Sequence, residues 1–381
     1  MVDLALGEMQ EMLQELVREF VQDEVRPNAE KWDAESIYPL EAIKSANELG
    51  LLNLHIPEEY GGAGLGSMEE VVVNEELAWG DPGFATAAYA TSLAIAPIIT
   101  GGTEEQKKKW LGKVVEGALA SYAVTEPGAG SDVASIKTHA VKQGDTYILN
   151  GEKMWITGAG YADFFFVLAK TDLEAGYRGM SGFIVEADSE GLSLGKKEGN
   201  MGQRCSDTRS VVFDSVQVPA ENLLGGVENQ GWLNAMKAFD MSRPNIAAHA
   251  TGLARASFEH ALQYSDERET FGKKLHQHQA IQFMLADMKT NIEASRLLTW
   301  KAASIYDSGQ RNTEAAAHAK RFSADIAMQV STDAVQIFGG YGYSEEYPVA
   351  RLMRAAKVMQ IYEGSSQVQR MIIGREMTRG L

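Results

Sequence analysis

The sequence contains a single cysteine, Cys205, among its 381 residues. One cysteine excludes a disulfide within the chain and a metal site built from several thiolates. Scarce cysteine is typical of proteins from a reducing compartment. The first twenty residues lack a basic segment followed by an apolar run, so they do not predict a secretory signal. We therefore expect a cytoplasmic location.

Positive charge is also in deficit. The chain has 35 Lys and Arg residues against 52 Asp and Glu residues, which gives a formal net charge of −17. Such a chain repels phosphate backbones, so we expect no nucleic-acid partner. The histidines are scattered, and the nearest pair, His276 and His278, has a spacing that does not share a helix face. We therefore expect no metal site.

Long uncharged runs are rare, and one exception spans Pro82–Thr103. Its length would suffice to cross a bilayer. However, it carries polar side chains such as Thr86, Tyr89 and Ser92, so we expect a buried helix and no membrane span. The sequence also lacks a complete GxGxxG fingerprint and a GK[ST] phosphate loop. These absences argue against a nicotinamide Rossmann site and a Walker-type nucleotide site.

Helical periodicity dominates the two ends of the chain. Apolar residues recur at helical spacing from Met9 to Val21, and a further helix is predicted to begin after Thr103 as its N-cap. Residues 1–118 therefore read as an N-terminal all-helical domain. After Gly231 long helical patterns return, which predicts a C-terminal four-helix bundle over residues 227–381.

The middle of the chain shows the patterns of strands instead of helices. Three segments have the length of a strand and are rich in β-branched and aromatic residues: "DFFFVLAK", "SGFIVEAD" and "TRSVVFDSVQVP". Asn150-Gly151 lies between apolar runs and predicts a hairpin turn. Residues 119–226 are therefore expected to form a central antiparallel β-barrel or sandwich. The predicted class is α+β and multidomain: helical domain, antiparallel β-barrel, four-helix bundle.

Four short segments carry candidate chemistry: "YAVTEPGAGSD" from Tyr122, "ERETFGKKLHQHQAIQ" around Arg268, "QIFGGYG" from Gln336 and "QIYEGSSQVQR" around Glu363. The first is a loop of small residues whose amides can approach a ligand closely. Arginine in the second suits a pyrophosphate, because its planar donors bind two oxygens at once. Each segment alone also fits a cap, a turn or a surface charge.

Taken together and in this order, these segments resemble the acyl-CoA dehydrogenase flavoproteins, most of all the short- and medium-chain, straight-chain members. "GEKMWIT" and "NMGQRCSDTR" occur between them at the family's spacing. The resemblance covers almost the whole chain and implies the three-domain architecture above. It also implies FAD as cofactor, an acyl-CoA substrate, a homotetramer built as a dimer of dimers, and an electron-transferring flavoprotein as electron acceptor.

The same resemblance implies individual site residues. Expected FAD contacts are Tyr122, Val124, Thr125, Ser131, Trp155, Ile156, Thr157, Arg268, Thr270, Phe271, His278, Gln279, Gln336, Ile337, Gly339, Gly340, Ser365 and Gln367. Expected acyl-CoA contacts are Ser131, Asp240, Arg243, Arg311, Tyr362, Gly364 and Arg375. The pyrophosphate and adenosine contacts are expected to come from across a subunit interface.

Family likeness makes Glu363 the base that removes the α-proton while the β-hydrogen passes as hydride to FAD, giving a trans-2-enoyl-CoA in fatty-acid β-oxidation. A free glutamate, with a pKa near ~4.3, is a weak base for such a proton. We expect burial between Ile361 and Tyr362 to raise this pKa. Nearby cations, Arg351, Arg354, Lys357, Arg370 and Arg375, are expected in part to serve a polyphosphate substrate.

Some alternatives stay open. An acyl-CoA oxidase that uses dioxygen and a non-enzymatic helical scaffold share much of the pattern. The length of the acyl chain is also open, because Tyr89 would shorten a pocket over the 82–103 helix whereas alanines such as Ala85 would deepen it. We expect a short to medium chain.

Overall fold

The structure, a computed structural model, describes residues 5–380. Its α-helices, numbered in chain order, are α1 Glu8–Phe20, α2 Ala29–Ala34, α3 Leu40–Glu48, α4 Ser67–Gly80, α5 Pro82–Gly101, α6 Glu104–Val115, α7 Gly231–Glu267, α8 Gln279–Asp307, α9 Thr313–Phe338, α10 Pro348–Met359 and α11 Ser366–Met377. The strands are β1 Ala120–Ala123, β2 His139–Gln143, β3 Thr146–Thr157, β4 Phe164–Lys170, β5 Met180–Glu186, β6 Leu192–Leu194, β7 Thr208–Pro219, β8 Glu269–Thr270 and β9 Lys273–Lys274.

Helix ends follow local signals in the sequence. The N–H of Gln106 donates to Thr103 Oγ1 at 3.2 Å, and the N–H of Thr103 donates to Gln106 Oε1 at 3.1 Å. This reciprocal pair is a capping box at the start of α6, as predicted for Thr103. Gly50 and Gly309 follow the ends of α3 and α8 with φ of 69° and 73°, the left-handed conformation that glycine adopts at little cost.

The helices from both ends of the chain pack around α7. It contacts α4 and α5 from the N-terminal part, and α8, α9 and α10 from the C-terminal part. One apolar core cluster therefore contains residues from both parts, among them Val17, Phe84, Leu253 and Val330. The order of helices, sheet and helices is confirmed. The secondary structure changes from helix to strand between Val115 and Ala120, and back to helix between Gly226 and Gly231.

The middle part is a curled seven-stranded sheet in the order β1-β4-β2-β3-β7-β6, with β5 paired to β4. Strand β4 is buried along almost its whole length, with apolar clusters on both of its faces. The sheet is mostly antiparallel, as expected. The expectation was wrong only at β4, where β1 pairs in parallel, starting at Ala120 opposite Phe164. The chain makes this crossover through β2 and β3 rather than through a helix.

The hairpin prediction at Asn150-Gly151 was also wrong. Both residues lie inside the single long strand β3, at a bulge where its register with β7 shifts. Tertiary contacts override the local turn preference, because the Asn150 side chain accepts the N–H of Ser215 at 2.9 Å. A Cβ added to Gly151 would lie 2.4 Å from the Thr138 hydroxyl, so the glycine serves close packing rather than a turn. The β2–β3 turn follows Gln143 instead.

Helix α5 forms from the long uncharged run that begins at Pro82. It is the one helix in residues 5–380 that is long and apolar enough to cross a membrane by length and composition. Most of its residues are buried inside the molecule, including Phe84, Ala85 and Ile95. Asp81 caps its start by accepting the N–H of Phe84 at 2.8 Å.

Candidate active site

Glu363 lies in the short turn between α10 and α11. Glu363 and Gly364 have φ of 50° and 90°, so two consecutive residues are left-handed. This conformation costs a non-glycine residue about 1–2 kcal/mol, and the surroundings hold it. The Gln369 side chain donates to the carbonyl oxygens of Glu363 and Gly364 at 3.2 and 2.9 Å. Lys320 Nζ donates to the Gly364 oxygen at 2.7 Å, so the turn is fixed from two sides.

The carboxylate of Glu363 accepts a hydrogen bond from the hydroxyl of Ser242 on α7, with 2.5 Å between Oγ and Oε2. Burial raises the pKa of Glu363, and the Ser242 hydrogen bond and the charges of Lys320 and Arg243 offset this only in part. The result is a carboxylate whose pKa is displaced toward neutral pH, as a general base requires.

The surroundings of Glu363 differ from the expectation in two respects. Ile361 is 58% exposed and does not bury the carboxylate. The expected phosphate-binding cations are engaged within the protein: Arg351 pairs with Asp81, Arg354 with Asp33, Arg370 with Asp325 and Arg375 with Glu376, while Lys357 bonds Gln360. The cations whose charges act on Glu363 are instead Lys320 and Arg243, which come from distant helices.

One expected flavin contact of the sheet, Tyr122, lies near enough to this carboxylate to feel its charge. Tyr122 on β1 stacks on Phe166 at 5.1 Å between ring centroids and meets Phe239 of α7 edge-on at 5.6 Å. Its hydroxyl is buried and has no hydrogen-bond partner in the described chain. A buried hydroxyl without a partner is costly, so it is suited to a bound group.

Val124 and Thr125 follow β1 in the loop of small residues, and their backbone is tied down by β3. The N–H of Met154 donates to the Thr125 oxygen at 2.8 Å, and Lys153 Nζ donates to the Val124 oxygen at 3.0 Å. Lys153 is fully buried and pairs with Glu126 at 2.9 Å. Burial lowers the pKa of Lys153 to about 8, and Glu126 opposes this shift.

The next three expected contacts are the last residues of β3. Its register with β7 shifts again between Lys153 and Ile156, and Trp155 has a φ of 63° there. The bulge turns the Trp155 side chain outward, where it is 55% exposed. Ile156 points into the sheet core and is buried, while the Thr157 oxygen accepts the Ser121 hydroxyl at 2.7 Å. Ser131 is exposed in the loop after β1.

A second group of expected FAD contacts lies beyond the end of α7. Phe271 and Gly272 have φ of 51° and 76° and form the two-residue turn between β8 and β9. Phe271 is 97% exposed, and the ring of His278 faces it edge-on. The Thr270 hydroxyl lies 3.2 Å from His278 Nε2, and Gln279 is exposed at the start of α8.

The end of α9 completes this second group. Arg268 lies over the ring of Tyr341 at 5.8 Å, directly beyond the glycine pair. A Cβ added to Gly339 or Gly340 would meet no atom within 4 Å, so this backbone is open to a ligand. Gln336 is exposed, whereas the Ile337 side chain is buried in the helical core. Near the Glu363 turn, the Ser365 hydroxyl caps α11 by accepting the N–H of Val368, and Gln367 is exposed.

The two groups lie far apart in one chain. Phe239, which contacts Tyr122, is near the start of α7, and Arg268 directly follows its last residue. An α-helix rises 1.5 Å per residue, so roughly 40 Å separate the two positions. One flavin dinucleotide does not reach both groups of the same chain.

The expected substrate contacts form two clusters. Asp240 accepts from Arg243 Nη1 at 3.0 Å and from the Thr313 hydroxyl at 2.5 Å. Arg243 is almost fully buried, and its Nε has no partner in the described chain, so at least this donor remains for a ligand. Arg311 and Arg375 both bond Glu376 at the surface, and the Arg311 hydrogen bond lowers the pKa of Glu376 to about 2.

Tyr362 completes the expected substrate contacts. Its hydroxyl lies 3.5 Å from that of Thr86 on α5, which brings the turn against the uncharged helix.

Each of the two groups fits one part of a flavin dinucleotide. At the first group the unpartnered phenol of Tyr122 lies near the carboxylate, and the sheet also offers an exposed indole. At the second group an arginine lies beside open glycine backbone. Sequence reasoning missed Ser242, Lys320, Lys153 and Glu126. A serine or lysine within a helix carries no signal of its own, because only the tertiary fold brings it to the turn. One signal could have revealed the pair of Lys153 and Glu126: Lys153 lies inside a predicted strand that was expected to be half buried.

Known proteins match the chain along its whole length. Residues 7–118, 121–216 and 229–378 match the N-terminal, middle and C-terminal domains of acyl-CoA dehydrogenase, respectively. A probable medium-chain specific acyl-CoA dehydrogenase 2 of Caenorhabditis briggsae is 46% identical over 375 residues, which cover 97% of this chain and 90% of the relative.

Two solved structures have nearly the same fold. Butyryl-CoA dehydrogenase from Megasphaera elsdenii has a TM-score of 0.96 and 44% identity, with 99% of this chain and 100% of that chain covered. A chain from work on the electron transferring flavoprotein of Acidaminococcus fermentans has a TM-score of 0.97 and 43% identity, with the same coverage. This chain belongs to the acyl-CoA dehydrogenase family.

Proposed function

We propose that this protein is an FAD-dependent dehydrogenase that converts a short- to medium-length, straight-chain acyl-CoA to the trans-2-enoyl-CoA in fatty-acid β-oxidation. The observation that carries this proposal is the carboxylate of Glu363. It lies on a fixed left-handed turn, in reach of the phenol of Tyr122, with its pKa raised by burial. A scaffold would not require this combination; an oxidase would share it, but the likeness to short-chain dehydrogenases favours neither alternative.

Glu363 removes the proton from the α-carbon of the thioester, and the electron pair of that bond becomes the new α,β-double bond. Bound FAD supplies the two-electron acceptor for the β-hydrogen. The Ser242 hydroxyl and the charges of Lys320 and Arg243 favour the ionised carboxylate before the reaction, whereas burial favours the protonated form. These opposed effects keep the base ionised yet basic enough to accept a carbon-bound proton.

A second requirement is stabilisation of the negative charge that develops on the thioester oxygen. The N–H groups of Glu363 and Gly364 donate to no acceptor within residues 5–380. Both amides are therefore free to donate, so a thioester oxygen placed at the turn accepts a hydrogen bond from the protein backbone.

The preference for shorter chains is supported by Tyr89 of α5. Its side chain is buried, and its hydroxyl accepts from Asn245 Nδ2 at 3.0 Å. Asn245 lies three residues after Ser242 on α7, and Ser242 bonds Glu363, so Tyr89 meets the same stretch of α7 as the base. A ring fixed by a hydrogen bond limits the depth available to an acyl chain. Butyryl-CoA dehydrogenase, at 44% identity, is consistent with that limit.

We propose a homotetramer, a dimer of dimers. The separation of roughly 40 Å along α7 supports an FAD site completed by a second copy, with the Arg268–Phe271 turn of one chain serving its neighbour. Phe271 projects almost fully from the surface, as expected of a side chain that is covered on assembly.

We propose that electrons leave through an electron-transferring flavoprotein, supported by the likeness to the Acidaminococcus fermentans chain.

We also propose that α5 stays in the core and does not span a membrane. The single, buried Cys205 supports a cytoplasmic location.

Anaerobic mixing of the purified yellow holoenzyme with butyryl-CoA, hexanoyl-CoA and octanoyl-CoA tests the function. We expect the flavin absorbance to bleach and one enoyl-CoA to form per flavin, fastest with the shorter chains. A flavin that stays oxidised with every thioester would contradict the proposal. Rapid peroxide formation in air, without another acceptor, would favour the oxidase alternative.

A further inference from the structure

Lys320 is a fully buried lysine on α9 beneath the Glu363 turn. Its ammonium group donates to the Gly364 oxygen at 2.7 Å, one residue beyond the base. Lysine is rarely buried completely unless its charge is compensated. The hydrogen bond to a neutral carbonyl satisfies one donor but does not compensate a charge.

The compensating charge is the carboxylate of Glu363. Burial lowers the pKa of Lys320 to about 7, and Glu363 raises it while Arg243 lowers it further. The reverse effect, Lys320 lowering the pKa of Glu363, is the second largest favourable influence on that carboxylate, after Ser242. The other titratable or charged groups that face the two residues are Arg243 on α7, Asp325 on α9, Tyr122 on β1, Tyr89 on α5 and Tyr362 in the turn.

We propose that Lys320 is a positioning residue for the dehydrogenation: it fixes the Glu363–Gly364 turn and supplies the buried positive charge that keeps Glu363 ionised when substrate excludes water. This inference rests on the proposed function. Arg243 shares the electrostatic task, but its guanidinium is already paired with Asp240. Within the described chain, Lys320 has no such ion pair, so its charge remains available to Glu363.

A merely structural lysine would act through its hydrogen bond alone, and two variants separate the roles. Lys320→Gln keeps a donor and loses the charge, whereas Lys320→Met loses both at similar length. Lys44→Met, at an exposed lysine of α3 that pairs with Glu41, controls for the loss of one positive charge. Flavin content and the thermal midpoint verify that each variant is folded.

The measurement is the pH profile of kcat/KM with butyryl-CoA. A nearby cation lowers the pKa of a carboxylate, so loss of the Lys320 charge should raise the pKa of Glu363. In both Lys320 variants the acid limb, where kcat/KM falls on acidification, should therefore move to higher pH by about one unit. At a pH below the limb, kcat/KM should then be about tenfold lower than in wild type. Lys44→Met should leave the limb unchanged. An unmoved limb in folded Lys320→Gln and Lys320→Met would overturn the proposal.

The wild-type profile tests the proposal without any variant. If Lys320 is the charged partner of an ionised Glu363, Glu363 must lose its proton below the pKa of Lys320, which burial lowers to about 7. A wild-type acid limb at clearly alkaline pH would overturn the pairing even if neither variant folds. Failure of wild type to oxidise any acyl-CoA would instead refute the proposed function, so the two failures are distinguishable.

Discussion

Ser242 is the residue whose removal should alter the base most directly. Its hydroxyl donates to Glu363 Oε2 at 2.5 Å, and it is fully buried on α7. A hydrogen bond to a charged group contributes about 1.5–3 kcal/mol. One pKa unit corresponds to 1.36 kcal/mol, so Ser242→Ala should raise the pKa of Glu363 by about 1–2 units.

The sign follows from the protonation state that the hydroxyl stabilises. The bond favours the ionised carboxylate, so its loss favours the protonated form and moves the acid limb of kcat/KM to higher pH. One pH unit below the shifted limb, kcat/KM should be about tenfold lower than on the plateau, and the plateau at higher pH should be nearly retained.

The assay is steady-state turnover of butyryl-CoA across the pH range with an excess of electron acceptor. Ser257→Ala is a matched control, because Ser257 is equally buried on the same helix but donates only to the Leu253 carbonyl. A limb that stays in place in Ser242→Ala, with flavin content intact, would refute the assigned environment of the base.

Three further outcomes are expected. Tyr89→Ala should raise kcat/KM for octanoyl-CoA relative to butyryl-CoA at least ~10-fold, because removal of the ring opens room for several methylenes. An unchanged ratio in a panel of chain lengths would show that the ring does not limit the pocket. Lys153→Met leaves Glu126 buried without its cation, which lowers the free energy of unfolding by about 3–5 kcal/mol. The loop that carries Val124 should then loosen, and the flavin-to-protein ratio should fall, whereas wild type should keep its full flavin content. Burial lowers the pKa of His249 to about 3, so the unfolded chain binds a proton below 6.5 that the folded chain refuses. Stability should therefore fall as the pH drops, by about 2 kcal/mol at pH 5 from this group, and urea unfolding of His249→Gln should show a weaker pH dependence.

Local signals predicted the helices well. The capping box at Thr103 and the glycine after α8 act within a few residues, so their effect is readable from the chain alone. The long helices also carry a one-sided apolar stripe. In α8, Leu285, Met288 and Ile292 are buried as their spacing predicts.

The sheet was less predictable, because its register depends on partners distant in the chain. Asn150-Gly151 has the composition of a turn, yet β3 continues through it because Ser215 and Thr138 pack against these two residues. Parallel pairing of β1 with β4 likewise has no local signal.

The motifs identified the base and the cofactor segments, but not the residues that tune them. Ser242 and Lys320 lie 121 and 43 positions from Glu363 in the chain. Neither has a neighbour in sequence that reveals its role, since α7 and α9 meet the turn only after folding. Conversely, Arg351 and Arg354 lie close to Glu363 in the sequence but pair with Asp81 and Asp33 elsewhere.

The assignment of Glu363 as the base is tested most directly by single-turnover flavin reduction in Glu363→Gln, measured anaerobically with butyryl-CoA. A positioned base contributes about 100-fold or more, so reduction should slow at least ~100-fold while flavin content stays normal. Glu346→Gln, at the preceding and exposed acid of the chain, should reduce its flavin at the wild-type rate. Near wild-type flavin reduction in Glu363→Gln would contradict the account.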